Sequence, residues 1–86
     1  MQRIQGSKSG DRVLPIAHHV DDARWIEQQI FMLPAHLRFE TAQKYSKVWQ
    51  EAHDAEPDIR FKDECARRAA NIRLLRYVKA IKKKQA

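Results

Sequence analysis

An all-α domain of three helices is the fold this sequence predicts, on three observations. Only two of its 86 residues are glycine, and both precede residue 12, so the remainder lacks the turn chemistry of an all-β chain. Pro34 and Pro57 divide residues 21–86 into three stretches, at points where proline ends or opens a helix. Within each stretch apolar residues recur every three or four positions, the period of a helix face.

Residues 1–12, MQRIQGSKSGDR, are polar and show no apolar period, so a flexible tail, or partly a cloning remnant, is expected there. Val13, Leu14, Pro15, Ile16 and Ala17 form a short apolar patch, expected as an extended arm or single turn laid against a helix. Residues 1–20 are thus read as a flexible N-terminal arm and 21–86 as a single helical domain.

The first, short helix is expected over about 22–32, with Asp21 and Asp22 offering N-cap oxygens to its free N–H groups. Ala23, Ile26, Ile30 and Leu33 make its inner face, widened by Trp25, Phe31 and Met32, and most of this set is expected to be buried. The second runs from about Ala35 to Ala55. Leu37, Thr41, Tyr45, Val48, Ala52 and Ala55 share one stripe, with Ala42 and Trp49 beside it. Phe39 points away from that stripe and is read as packing under the arm or marking a contact surface. The short step Ala55-Glu56-Pro57 implies an antiparallel hairpin with the last helix.

That last helix, about 57–84, is long and basic. Pro57 suits a first helical position, and Asp58, Asp63 and Glu64 near the start with Lys79, Lys82, Lys83 and Lys84 at the end match the helix dipole. Two apolar faces appear at about 100° per residue: Phe61, Cys65, Ala69, Ile72 and Leu75 on one, Ala70, Leu74, Tyr77, Val78 and Ile81 on the other. The first is read as the inner face. The second, centred on Leu74, Val78 and Ile81, is expected to be exposed for a partner or a second subunit.

The net charge of +6 is unevenly spread: +2 over residues 1–20, −3 over 21–57 and +7 over 58–86. Such asymmetry accompanies polyanion binding or complementarity between subunits. One cysteine cannot form an internal disulfide, no secretory apolar core opens the chain, and no run approaches a membrane span, so a cytoplasmic, soluble protein is expected.

Other constellations read as structural. His18, His19, Asp21 and Asp22 gather metal-ligand atoms, yet adjacent histidines point apart and the stretch falls where a helix starts, so cap carboxylates and surface histidines are the better reading. The pairs His36/Glu40 and His53/Glu56 have acid/base spacing but no nucleophile, phosphate loop or oxyanion motif to serve. Cys65 reads as a small core residue. Trp25, Trp49, Tyr45 and Phe61 read mainly as core, leaving Phe39 and Tyr77 as candidate contact aromatics.

The strongest functional signal is the cation set Arg60, Lys62, Arg67, Arg68, Arg73, Arg76, Lys79, Lys82, Lys83 and Lys84. Of these, Arg60, Arg67, Arg68, Arg73, Arg76, Lys79, Lys82, Lys83 and Lys84 are the candidate nucleic-acid or partner contacts, with Leu74, Tyr77, Val78, Ile81 and Phe39 as the apolar ones. RFETAQKYSKVWQEAHDAEP followed by RRAANIRLLRYV resembles small helical accessory proteins encoded by temperate bacteriophages and prophages, over roughly residues 33–78. The resemblance implies an accessory role on nucleic-acid machinery, exerted by binding a host enzyme, and carries over no site residue. The expectation is a non-enzymatic regulatory protein that docks through its basic helix onto a host or phage protein of nucleic-acid metabolism, or self-associates as a homodimer. Direct DNA or RNA binding is the alternative and a metal-dependent enzyme a distant third; no cofactor is expected.

Overall fold

Residues 13–85 are described by a computed structural model. Three helices, α1 (Ala23–Phe31), α2 (Ala35–Ala55) and α3 (Lys62–Gln85), account for most of them, with one-turn 3₁₀ segments at Val20–Asp22 and Ile59–Phe61 and no strand among the described residues. The expected all-α, three-helix architecture is the observed one. Lys62 reaches back to the last carbonyls of α2, which makes α2 and α3 an antiparallel hairpin. Asp22 lies beside Arg67 and Asn71 while Met32 lies beside Lys82, so α1 runs parallel to α3.

Each boundary has a local cause. Pro34 sits in extended backbone (φ −55°, ψ 145°), where α1 cannot continue and α2 begins. The Arg38 guanidinium closes that corner, donating to the carbonyls of Leu33 and Phe31 at 3.0 Å each while lying 4.6 Å over the Phe31 ring. At the other corner the Lys62 ammonium takes the carbonyls of His53 and Glu56, groups a helix C-terminus leaves unsatisfied.

Two expected helix starts are corrected. Helical geometry after the second corner begins at Ile59, not Pro57: the Asp58 carboxylate accepts from the Arg60 N–H at 3.0 Å and caps the 3₁₀ turn, leaving Pro57 in the connection. At the first helix the cap is His19, whose Nδ1 accepts from the Asp21 N–H at 3.1 Å. Asp22 makes no cap bond and turns inward instead.

Ile26, Ile30, Leu33, Ala42, Tyr45, Ala70, Leu74 and Val78 form one core, with Leu37, Val48, Trp49 and Ile81 half-buried against it. On α2 the expected stripe holds, except that Ala55 is exposed, and Phe39 points to solvent at 67 % exposure. On α1, Ile26 and Ile30 are inner as expected, but Phe31, the last residue of the helix, and Met32 just past it are exposed. The two faces of α3 are the reverse of the expectation. Leu74 and Val78 are 3 % and 2 % exposed and belong to the core, with Ile81 half-buried beside them, so no exposed patch centres on these residues. The face assigned inward is the open one: Phe61, Ile72 and Leu75 are 47 %, 44 % and 37 % exposed. Ala66 and Ala70 are fully buried, and their small side chains let α2 and α3 approach closely on the side where Leu74 and Val78 interlock.

One polar network ties all three helices. Arg67 donates through Nε and Nη2 to the two Asp22 oxygens at 2.9 Å each, Asn71 Nδ2 donates to Asp22 Oδ2 at 3.1 Å, and the Tyr45 hydroxyl donates to Asn71 Oδ1. The arm joins the same bundle: Val13 packs on the core, Pro15 is buried, and the Ala17 N–H donates to Ser46 Oγ at 3.1 Å, fastening residues 13–17 to α2. The tail expected at residues 1–12 lies outside the described residues.

The face assignment is tested by substitution. Leu74→Ala is expected to cost about 3 kcal/mol of unfolding free energy, whereas Phe39→Ala stays within about 0.5 kcal/mol; urea titrations of the two variants check this, and equal losses would refute the assignment. The network is tested by acid. Hydrogen bonds from Arg67 hold the Asp22 carboxyl below its ordinary range, against the opposing effect of burial and with help from Asn71. A depressed native pKa means that the unfolded chain takes up the proton first as pH falls. The contribution is therefore complete above about pH 5 and is lost as pH drops through the native value. Asp22→Asn is expected to cost roughly 1–2 kcal/mol at neutral pH and to flatten the acid limb of stability against pH, read from urea midpoints in an acid series.

Candidate polyanion and partner interface

The cations of α3 and of the turn before it divide into two groups. Those at the start are engaged within the chain. Arg60 is bound fork to fork by Asp58 at 3.1 and 2.8 Å, which holds the Asp58 carboxyl below its usual range, and Lys62 caps α2. Arg67 is committed to Asp22, and Arg68 lies 3.7 Å from Glu64 one turn earlier. Arg60, Arg67 and Arg68, expected among the docking charges, thus each have an acidic partner within the chain.

The later group differs. Arg73, Arg76, Lys79, Lys83 and Lys84 are exposed and, among the described residues, have no carboxylate within ion-pair distance; Lys82 touches only the Met32 sulfur, at 3.6 Å. The sequence explains the split, since α3 carries no Asp or Glu after Glu64. The antiparallel neighbour does not supply one either: the first half of α2 holds a single acid, Glu40, engaged by Lys44 at 3.3 Å. The bundle end formed by the close of α3 and the opening of α2 is thus cationic. Toward the opposite end the acids have partners within the chain: Asp58 holds Arg60, Glu64 lies near Arg68, Asp63 near His53, and Glu56 accepts from the Asp58 N–H and the Cys65 thiol.

Two concave surfaces flank α3. Between α2 and α3, on the side α1 does not cover, a groove of about 170 Å³ has Tyr45 and Leu74 in its floor and Lys44, Arg73 and Tyr77 along its edges. Tyr77, named as a candidate contact aromatic, is half-exposed there, while Phe39 stands apart on the outside of α2. On the outer side of α3 a wider hollow of about 640 Å³ is lined by Phe61, Cys65, Ala69 and Ile72 together with the charged Glu56, Glu64 and Arg68. Ile72 and Leu75 continue from it to Trp25 of α1.

The Cys65 thiol donates to Glu56 Oε1 at 3.2 Å, and that carboxylate pushes its pKa up, the reverse of what activates a thiol nucleophile. His18 Nδ1 lies 2.7 Å from the Pro15 carbonyl and His19 caps the first turn, so the two rings serve the arm instead of converging. Among the described residues no three metal-ligating side chains come together. His53 stacks on Trp49 at 5.0 Å with Nε2 3.3 Å from Asp63, a contact that joins the end of α2 to the start of α3.

Sequence reading missed the Asp22–Arg67–Asn71–Tyr45 network, which offers one weak signal: two polar residues one turn apart, Arg67 and Asn71, on the face that also carries Ala70 and Leu74. No helix of the described residues is long and apolar enough to cross a membrane. No protein-family model, curated protein or solved structure matches the chain.

Proposed function

We propose that the protein is a non-enzymatic, cytoplasmic accessory protein that binds nucleic-acid backbone through the second half of α3. One observation carries the reading: the basic residues near the start of α3 are neutralised within the fold, and those from Arg73 onward are not. A cation already paired with a carboxylate gains little from a phosphate, because it must give up one partner for another. An unpaired, solvated one releases the counterions condensed on the polyanion at no such cost. The exposed positions on about three turns of helix let several phosphates be met at once, and the aromatic edge of Tyr77 beside Arg73 and Lys44 offers a surface on which an unpaired base can stack. An accessory role on nucleic-acid machinery also accords with the phage-protein resemblance of residues 33–78.

A second reading, docking onto a protein that itself handles nucleic acid, is favoured by the exposed outer face of α3 with Phe61, Ile72 and Leu75. Large apolar side chains gathered on one helix face, with cations further along it, suit a partner helix better than a phosphate chain.

Fluorescence anisotropy with labelled single-stranded and duplex oligonucleotides separates the two. Four or five backbone contacts predict a log–log slope of affinity against salt of about −4. Replacing Arg73, Lys83 and Lys84 together by Gln is expected to make the slope shallower by about 2–3, while Arg60→Gln leaves it unchanged. Salt-insensitive binding, or equal losses from the two changes, would overturn the proposal.

A further inference from the structure

The groove between α2 and α3 has room for one flat ring system, and the charges at its edges are all positive. We infer that it seats one unpaired nucleotide of a single-stranded nucleic acid, the base against Tyr77 and the flanking phosphates between Arg73 and Lys44. This rests on the polyanion reading and deepens it, by naming the form of nucleic acid that the cationic end of the bundle takes.

Size limits the occupant first. The groove holds about 170 Å³, against roughly 300–1,000 Å³ for the pockets that enclose a drug-sized ligand. One ring system therefore fits, and a partner helix does not. The floor is fixed as well as apolar. Tyr45 and Leu74 are 4 % and 3 % exposed, and the Tyr45 hydroxyl is held by Asn71, so the phenol ring cannot swing outward to fill the groove. At the edge Tyr77 keeps 38 % of its surface in solvent. A base entering from outside meets an aromatic wall and an aliphatic floor, surroundings in which its π-face is stacked whatever its sequence identity.

Charge then selects among flat ligands. Lys44 and Arg73 are the only charged residues of the lining, which Thr41, Val48 and Ala70 complete. Arg73 has no carboxylate within ion-pair distance among the described residues. Lys44 has Glu40 at 3.3 Å, an exposed pair that a phosphate displaces at little cost. A neutral ring leaves both cations unanswered, whereas a nucleotide brings a phosphate to each side of its base. The flanking turns give the strand a direction. Lys84 follows Tyr77 by seven residues, on the same face of α3, while Glu51 follows Lys44 by seven on α2, at the other end of the groove. The strand therefore runs toward the close of α3 and away from Glu51. A duplex cannot use this site, because its bases are paired and stacked inside and reach a groove only by being flipped out.

The test separates base from backbone on the full chain. Fluorescence anisotropy compares a labelled single strand with an abasic strand of the same length, which keeps the phosphates and lacks the bases. The intact strand is expected to bind at least about tenfold tighter. Tyr77→Ala is expected to remove that advantage while leaving abasic-strand and duplex binding within about twofold, and Tyr77→Phe to retain it. Circular dichroism checks that the variants stay helical. Independently of any substitution, a strand carrying iodouracil is expected to crosslink to Tyr77 on irradiation, located by peptide mass spectrometry. Equal affinity of the wild type for intact and abasic strands, equal losses on strand and duplex from Tyr77→Ala in a folded protein, or crosslinks confined to other residues would each overturn the inference and leave the backbone reading standing. Absence of salt-dependent binding to every probe would overturn both.

Discussion

The bundle depends on where one carboxylate goes. Asp22 stands at the entrance to α1, and by accepting from Arg67 and Asn71 it fixes which side of α3 faces inward; Tyr45 completes the chain from α2. Without it Arg67 and Asn71 would each lose the partner that holds them toward α1, and the hydrogen-bonded chain that joins the three helices would be cut at its centre. The same residue sets the rotation of α1. Ile26, Ile30 and Leu33 follow Asp22 at steps of four, four and three, so directing the carboxylate at α3 also directs those apolar side chains into the core. Burial strengthens the arrangement by pushing the Tyr45 phenol further from ionisation, which keeps the hydroxyl a donor.

This is why the two faces of α3 were not distinguishable by hydrophobicity. Both faces hold large apolar side chains, Phe61, Ile72 and Leu75 on the exposed one and Leu74, Val78 and Ile81 on the covered one, so an area argument alone does not choose between them. What decides between them is size and polarity together: Ala66 and Ala70 permit close approach of α2, and Arg67 and Asn71 lie where Asp22 can reach them. A periodic pattern states that a helix has an apolar stripe, and two stripes state that both need cover; neither identifies the neighbour. The hairpin, the proline boundaries and the buried stripe of α2 were legible because each follows from residues close in sequence. Asp22 with Arg67, 45 residues apart, was not, since nothing local marks a carboxylate as destined for a distant arginine when it also suits a helix cap.

Charge shows the same limit from the other side. Ten basic residues after Pro57 read as one continuous coat, and counting them is correct, but a count does not say which are spent. Asp58 neutralises Arg60 within one turn of backbone, and a lysine two residues later closes the preceding helix. Both are local devices that the spacing allows and that a net-charge argument passes over. The cationic character of the molecule therefore belongs to a segment half as long as the sequence suggests, and its position at one end of the bundle follows from the absence of acids after Glu64.

The outer face of α3 is left open by the same arrangement. A chain of this length exposes a high fraction of its surface, and a stripe of large apolar side chains left outside lowers the solubility of a lone subunit. The fold nonetheless leaves that stripe uncovered, because the polar network holds α1 and α2 on the other side. Rotating α3 would exchange Leu74 and Val78 for Phe61, Ile72 and Leu75 in the core, but it would also turn Arg67 and Asn71 away and leave Asp22 without partners. The polar network wins because its groups are satisfied only in one rotation, whereas apolar contacts can be remade in many.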